Sequence, residues 1–262
     1  MLFTAPLVEN RRLAGSSFVL RLGGCQALAR ARPGQFVMLR GAWDRDPLLP
    51  RAFSILRTLE NGDCEILVKA IGRGTRLLGE LPPGASLSVL GPLGRPFPAP
   101  EAGRLDLLVA GGVGLAPLLW HAEVARDAGL PTELFYGARN AAELVLLDEI
   151  ARAGCSVHLT TEDGSGASAL RGRVTDALST RLAQGPNASA VVLSCGPNPM
   201  MRAVVELARS SDLGCFVSVE GEMACGIGAC LGCAVPHTSG DRPFGYACVD
   251  GPVFDSARIV IP

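Results

Sequence analysis

Residues 105–117 read LDLLVAGGVGLAP. The run LDLLVA carries one polar residue, and three glycines then fall within four positions before a helix-compatible stretch begins. A near-continuous apolar run ended by glycine is the pattern of a buried parallel strand, because both of its faces are covered. Glycine in such a turn lets the backbone approach a ligand, and the N-terminus of the next helix favours phosphate groups. The spacing is not G-x-G-x-x-G, so taken alone the turn also fits a tight strand–helix connection with packing glycines. Downstream the rhythm repeats. Strand candidates occupy residues 132–136 (TELFY), 156–160 (SVHLT), 190–194 (AVVLS) and 215–219 (CFVSV). Between them lie helix-compatible segments at residues 121–128, 142–152, 174–183 and 199–210. Strands alternating with helices predict a parallel-sheet α/β domain. The turn CGPNPM, residues 195–200, also follows a strand and precedes a helix, which puts it on the sheet edge used by the glycine turn. Alone, Cys195 reads as a buried core thiol.

Upstream the pattern is different. Short apolar runs recur at residues 17–22, 35–39, 51–56, 64–70 and 86–90, punctuated by Pro33-Gly34, Asn61-Gly62 and Pro83-Gly84. That predicts a small antiparallel β-barrel, with one short helix within residues 72–80. On the strand Arg51-Ala52-Phe53-Ser54, alternation puts Arg51 and Phe53 on one face and Ala52 and Ser54 on the other. Arginine can pair with a phosphate, and serine can hydrogen-bond the edge of a heterocycle. Gly72-Arg73-Gly74-Thr75 offers N–H groups and a hydroxyl at a helix start. Alone, these segments also fit an ordinary strand and turn.

Beyond residue 220 periodicity is lost and glycine and cysteine dominate. Four of the nine cysteines, Cys225, Cys230, Cys233 and Cys248, are spaced C-x4-C-x2-C-x14-C. The first three match plant-type 2Fe–2S spacing. Four thiolates must converge on two irons, and small residues between them (Gly226, Gly228, Ala229, Gly232) let backbone N–H groups reach the sulfurs. A structural zinc site with four cysteines is the alternative, although it more often uses paired C-x2-C units. Cys25, Cys64, Cys155 and Cys215 read as small buried hydrophobes.

The chain has 262 residues, 48% hydrophobic and 19% charged, with net charge −1. That excludes a disordered chain and gives no electrostatic footprint for nucleic acid or an anionic membrane. The longest apolar stretch, residues 107–120, has 14 residues including three glycines and a proline, against the ~20 that a spanning helix needs. The N-terminus shows no signal-peptide pattern, and the uneven, odd cysteine count fits no disulfide framework; a cytoplasmic protein is expected. Basic charge is carried by 23 arginines and one lysine, Lys69.

In order along the chain, R-x-F-S, the G-T pair, G-G-V-G-x-A-P and C-G-P-x-P-M resemble the ferredoxin–NADP reductase superfamily. With residues 222–233 (EMACGIGACLGC), residues 248–254 (CVDGPVF) and GPLG at residues 91–94, the chain is similar throughout to electron-transfer subunits of type B dihydroorotate dehydrogenase. The resemblance implies an FAD-binding barrel at residues 1–100, an NAD-binding α/β domain at 101–219 and a small, loop-rich 2Fe–2S unit at 220–262. By the same resemblance, FAD would meet Arg51, Ala52, Phe53, Ser54, Leu67, Val68, Lys69, Gly74 and Thr75. The nicotinamide cofactor would meet Gly111, Gly112, Gly114, Cys195, Gly196 and Pro197. Cys225, Cys230, Cys233 and Cys248 would hold the cluster. Electrons would pass between NAD(H), FAD, the cluster and the FMN of a separate dihydroorotate-oxidising subunit in pyrimidine biosynthesis, in a heterotetramer of two plus two. Related subunits of sulfide dehydrogenase, NADH-dependent ferredoxin–NADP oxidoreductase and hydrogenase are the alternative. Two positions depart from the family pattern: Ala52 stands where proline is usual, and Glu222 where arginine is usual.

NADH delivers two electrons as hydride and a 2Fe–2S cluster accepts one, so a flavin must lie between them. No general base is expected, and His121, His158 and His237 receive no catalytic role. Plant-type clusters lie near ~−400 mV, low for an acceptor from NADH-reduced flavin. This cluster is expected to sit higher, through backbone hydrogen bonds and burial.

Overall fold

The structure is a computed structural model, and it describes residues 1–43, 46–167, 169–185, 189–240 and 242–262. Six strands form a closed antiparallel barrel: β1 (Leu2–Arg12), β2 (Ser17–Leu22), β3 (Phe36–Gly41), β4 (Arg51–Thr58), β5 (Cys64–Lys69) and β6 (Ser86–Leu93), in the order β1-β2-β5-β4-β3-β6. Helix α1 (Arg73–Glu80) lies between β5 and β6. The apolar runs in β2 to β5 have a physical reason. Phe18, Leu20, Val37, Leu39, Ile55, Ile66 and Val68 fill the barrel, while their neighbours Val19, Phe36, Met38, Leu56 and Leu67 face outward into the cores shared with the rest of the chain. Covered on both faces, these strands lose the polar alternation of an exposed sheet.

The second sheet has seven strands, in the order β10 (Leu170–Arg171), β9 (Ser156–Thr161), β8 (Thr132–Ala138), β7 (Leu105–Gly111), β11 (Ala190–Cys195), β12 (Gly214–Ser218) and β15 (Val253–Asp255). Its parallel members are β7, β8, β9, β10, β11 and β12. Helices α2 (Leu115–Asp127), α3 (Leu147–Arg152), α4 (Val174–Ala183) and α5 (Asn198–Ser210) connect them. Helix α2 is buried almost all round, from Leu115 through Ala122, because it is wedged between this sheet and barrel strand β4. The helix expected over residues 142–152 is shorter than that. A 3-10 turn at Ala141–Glu143 precedes it, and Leu146 adopts a left-handed φ of 59°, so α3 starts only at Leu147. Leu144, Val145 and Leu146 are instead buried in the core as a non-helical segment.

The C-terminal segment holds a short hairpin, β13 (Ala234–Pro236) with β14 (Phe244–Tyr246), and then returns a strand to the α/β sheet. That strand, β15 (Val253–Asp255), runs antiparallel to β12. The segment also seats on the barrel: an added Cβ at Gly226 would lie 2.6 Å from Met38 Cγ, and Arg95 N–H donates to Gly251 O. No helix among the described residues is long and apolar enough to cross a membrane.

Away from the strands' ligand edge, Asp106 of β7 accepts from His121 Nε2 at 2.7 Å and from Arg104 Nε at 2.7 Å, with Asp106 and His121 each 1% exposed. Burial alone would raise the Asp106 carboxyl, but these two hydrogen bonds hold it below the ordinary aspartate range. A depressed aspartate stabilises the fold above its unfolded pKa, near pH ~4, and that contribution is lost as pH falls through the lower folded value. Asp106→Asn should therefore cost about 3 kcal/mol at neutral pH and flatten the acid limb of stability, read as Tm against pH.

Candidate functional site

Two cavities meet where the barrel, the parallel sheet and the C-terminal segment converge. The first, about 300 Å³, is lined on the barrel side by Arg51, Ala52, Phe53, Ser54, Leu67, Val68, Lys69 and Thr75. The α/β part contributes Val113 of the glycine turn, Ala116 of α2, and Cys195 and Ser218 of the sheet, and the C-terminal segment contributes Glu220, Met223 and Pro252. Gly74 is not in that wall but shapes it, because an added Cβ there would lie 2.7 Å from Arg51 Nε. The Thr75 hydroxyl accepts from the Ile71 and Gly72 N–H groups at 3.0 Å, which fixes the turn that opens α1. The cradle of arginine, hydroxyls and backbone fits a flavin nucleotide: a cation for phosphate, an apolar wall for the ring and Ser54 for its edge.

The second cavity, about 510 Å³, lies at the ligand edge of the sheet. Its lining includes Gly111, Gly112, Pro197, Met200, Arg139, Glu143, Glu162 and Arg173, and it shares Lys69 with the first cavity. Gly112 faces open space and has φ 55°, a conformation that favours glycine. This open glycine turn before α2 fits a dinucleotide. Gly114 is elsewhere: an added Cβ would lie 2.2 Å from the carbonyl oxygen of Cys195, so Gly114 is where the two turns interlock. Gly196 likewise faces the backbone of Gly111, where an added Cβ would lie 3.0 Å from the Gly111 nitrogen and Cα. Cys195 faces the flavin-side cavity rather than the nucleotide cleft. Burial, reinforced by the Glu220 carboxylate, pushes its thiol well above the ordinary range, with Ser218 as its hydrogen-bond partner.

The four C-terminal cysteines fall into two pairs. Cys233 and Cys248 are buried with their Sγ atoms 3.3 Å apart, and Cys225 pairs with the exposed Cys230. Backbone N–H groups already aim at sulfur: Gly228 N to Cys248 Sγ at 3.2 Å and Cys230 N to Cys225 Sγ at 3.4 Å. The N–H groups of Ile227 and Cys230 draw the Cys225 thiol down to about 6. Two thiol pairs wrapped by backbone donors fit two irons bridged by sulfide.

The comparisons follow the same three parts. Residues 5–97 match an oxidoreductase FAD-binding domain, and residues 108–206 an oxidoreductase NAD-binding domain. Residues 220–260 match the iron–sulfur cluster binding domain of dihydroorotate dehydrogenase B. The electron transfer subunit of dihydroorotate dehydrogenase B (NAD(+)) from Bacillus caldolyticus is 35% identical over 258 residues, 97% of each chain. That from Geobacillus thermodenitrificans is 36% identical over 259 residues, again 97% of each. The chain belongs to this family of electron-transfer subunits. Among solved structures, NADH-dependent reduced ferredoxin–NADP oxidoreductase superposes with a TM-score of 0.86 at 28% identity, covering 98% of this chain and 90% of that one. The ferredoxin–NADP+ reductase of Plasmodium falciparum, at 15% identity and TM-score 0.66, covers 80% of this chain and 92% of its own and shares the fold.

Within this family frame, sequence reasoning missed Ser218 and Glu220. Both line the flavin-side cavity beside Cys195, and partial desolvation by the surrounding protein raises the Glu220 carboxyl above the ordinary range. A signal existed: they lie at and just beyond the carboxyl end of the last parallel strand, where α/β sheets present ligand-facing groups.

Proposed function

We propose that this chain carries electrons between NAD(H) and a separate FMN-containing subunit that oxidises dihydroorotate, the two working as a heterotetramer of two plus two. The observation that carries the reading is the shared wall: one cavity is built jointly from the barrel, the nucleotide-binding sheet and the segment that bears the four thiols. When bound, FAD would supply a carrier able to take up two electrons together and release them singly. The chain's own residues bind and place. Arg51 to Ser54, Leu67 to Lys69, Gly74 and Thr75 hold FAD. Gly111, Gly112 and Pro197 seat the nucleotide, while Gly114 and Gly196 keep their turns together. Cys195 is buried with a raised pKa, so it stays a neutral thiol that excludes water beside the flavin. Gly226 docks the cluster loop on Met38 and Leu93 of the barrel, which keeps the thiols next to the flavin domain.

Partner contact falls at the cluster loop, where Cys230, Ile227 (58% exposed) and Leu231 (53% exposed) reach the surface. Glu222 is exposed close by, so the charge that the partner meets there is negative. The test mixes the purified chain with an FMN-containing dihydroorotate-oxidising subunit. NAD+ reduction by dihydroorotate should require both chains. Full-rate NADH-to-ferredoxin transfer by this chain alone would contradict the reading.

A further inference from the structure

The nucleotide cleft is lined by three cations, Lys69, Arg139 and Arg173, and by two carboxylates, Glu143 and Glu162. One of those carboxylates joins two of the cations. Glu143 Oε1 lies 3.4 Å from Lys69 Nζ, which belongs to the barrel, and 2.5 Å from Arg139 Nη2, which follows β8. Its Oε2 accepts from Arg139 Nε at 3.3 Å. The position is built rather than incidental. The buried Tyr136 hydroxyl donates to the Glu143 carbonyl at 3.2 Å and accepts from the Val145 N–H at 3.2 Å, which pins the turn that carries Glu143. The Glu143 side chain is 19% exposed whereas that of Arg139 is 71% exposed, so the carboxylate is the anchored member and the guanidinium the one free to swing.

We infer that Glu143 is a specificity-determining counter-ion, holding Lys69 and Arg139 so that nucleotide phosphates must compete with its carboxylate for them. The inference rests on the reading of this cleft as the pyridine-nucleotide site. A fixed negative charge opposes an anionic ligand in proportion to that ligand's charge. A 2′-phosphate adds about −1.5 to −2. The same carboxylate therefore costs NADP+ more than NAD+, and Glu162 adds to the cleft with the same sign. A cleft rich in cations is in this way kept from preferring the more highly charged nucleotide.

Glu143→Gln keeps the side chain's size and removes its charge. Calorimetric titration of the purified full chain with NAD+ and with NADP+ reads the effect whatever its flavin content. Affinity for NADP+ should rise about tenfold and for NAD+ about threefold, the NADP+ gain shrinking at high salt. Glu143→Asp, which keeps the charge, should hold the wild-type ratio of the two affinities. In an Arg139→Met background the gain from Glu143→Gln should fall. Equal gains for both nucleotides, weaker binding of both, or an Asp variant that behaves like Gln would each overturn the inference. Wild-type protein that binds neither nucleotide would overturn both this inference and the reading beneath it. Wild-type binding of NAD+ with no response to Glu143→Gln overturns the inference alone.

Discussion

Cys230→Ser should give a folded, yellow flavoprotein without 2Fe–2S absorbance, still able to pass electrons from NADH to a dye but not to its partner. Cys230 is exposed, so the substitution leaves the core untouched. Loss of a group outside the ligand sphere already costs a metal site roughly 10–100-fold. Loss of a ligand should lower partner-linked turnover by more than about 100-fold. Dye reduction draws on the flavin and nucleotide alone and should stay within about twofold of wild type. Partner-linked rates that survive the change would place the cluster off the electron path. The buried Cys248 would be a poorer choice, because it lies shortly before β15, and a defect there would mix ligand loss with damage to the sheet.

Gly114→Ala should be the most damaging single methyl in the nucleotide-binding sheet. The added carbon would lie 2.2 Å from the Cys195 carbonyl oxygen, 2.5 Å from its carbonyl carbon and 2.8 Å from the Gly196 nitrogen. All three are backbone atoms of the facing turn, and moving them would drag β11 or α5 with them. Overpacking of this kind costs about 3 kcal/mol, and NADH should no longer reduce the flavin at a useful rate. Gly111→Ala makes the contrast. Its carbon would meet Met200 Sδ at 2.7 Å and Pro197 Cδ at 2.9 Å. Met200 can rotate away and only the Pro197 ring must shift, so stability should fall by about 2 kcal/mol, less than for Gly114→Ala, while nucleotide binding suffers because Gly111 lines the cleft. Urea unfolding and stopped-flow flavin reduction separate the two effects. Equal stability losses for the two variants would contradict the interlocked turns.

Much of this was legible in residue order. The run at residues 105–110 is apolar because β7 is central in the sheet and covered on both faces, and the cysteine spacing reports ligand chemistry directly. What was not legible depended on partners distant in sequence. Strand β1 was missed because its outward Leu2 and Val8 are apolar and exposed, which blurs the alternation. Strand β15 is three residues long and exists only because β12 offers an unpaired edge. The helix expected over residues 142–152 forms only from Leu147, because burial of Leu144, Val145 and Leu146 in the core holds that stretch out of helical conformation. In the site, glycine spacing marked the turns but could not separate Gly112, open to the cleft, from Gly114, which holds the turns together. Lys69 was placed with the flavin contacts, and only the structure brings it to Glu143 across the two domains. Of the cysteines read as core, Cys25, Cys64 and Cys215 are buried and Cys155 is partly exposed.

Electrons entering as hydride at the nucleotide cleft should reach a cluster held by Cys225, Cys230, Cys233 and Cys248. An anaerobic NADH titration of the purified full chain, followed by flavin absorbance and by low-temperature electron paramagnetic resonance, tests it most directly. Bleaching of the flavin band should be accompanied by the rhombic signal of a reduced 2Fe–2S cluster, absent from the Cys230→Ser variant. A protein without iron, or a flavin that bleaches fully while no cluster signal develops, would contradict the account.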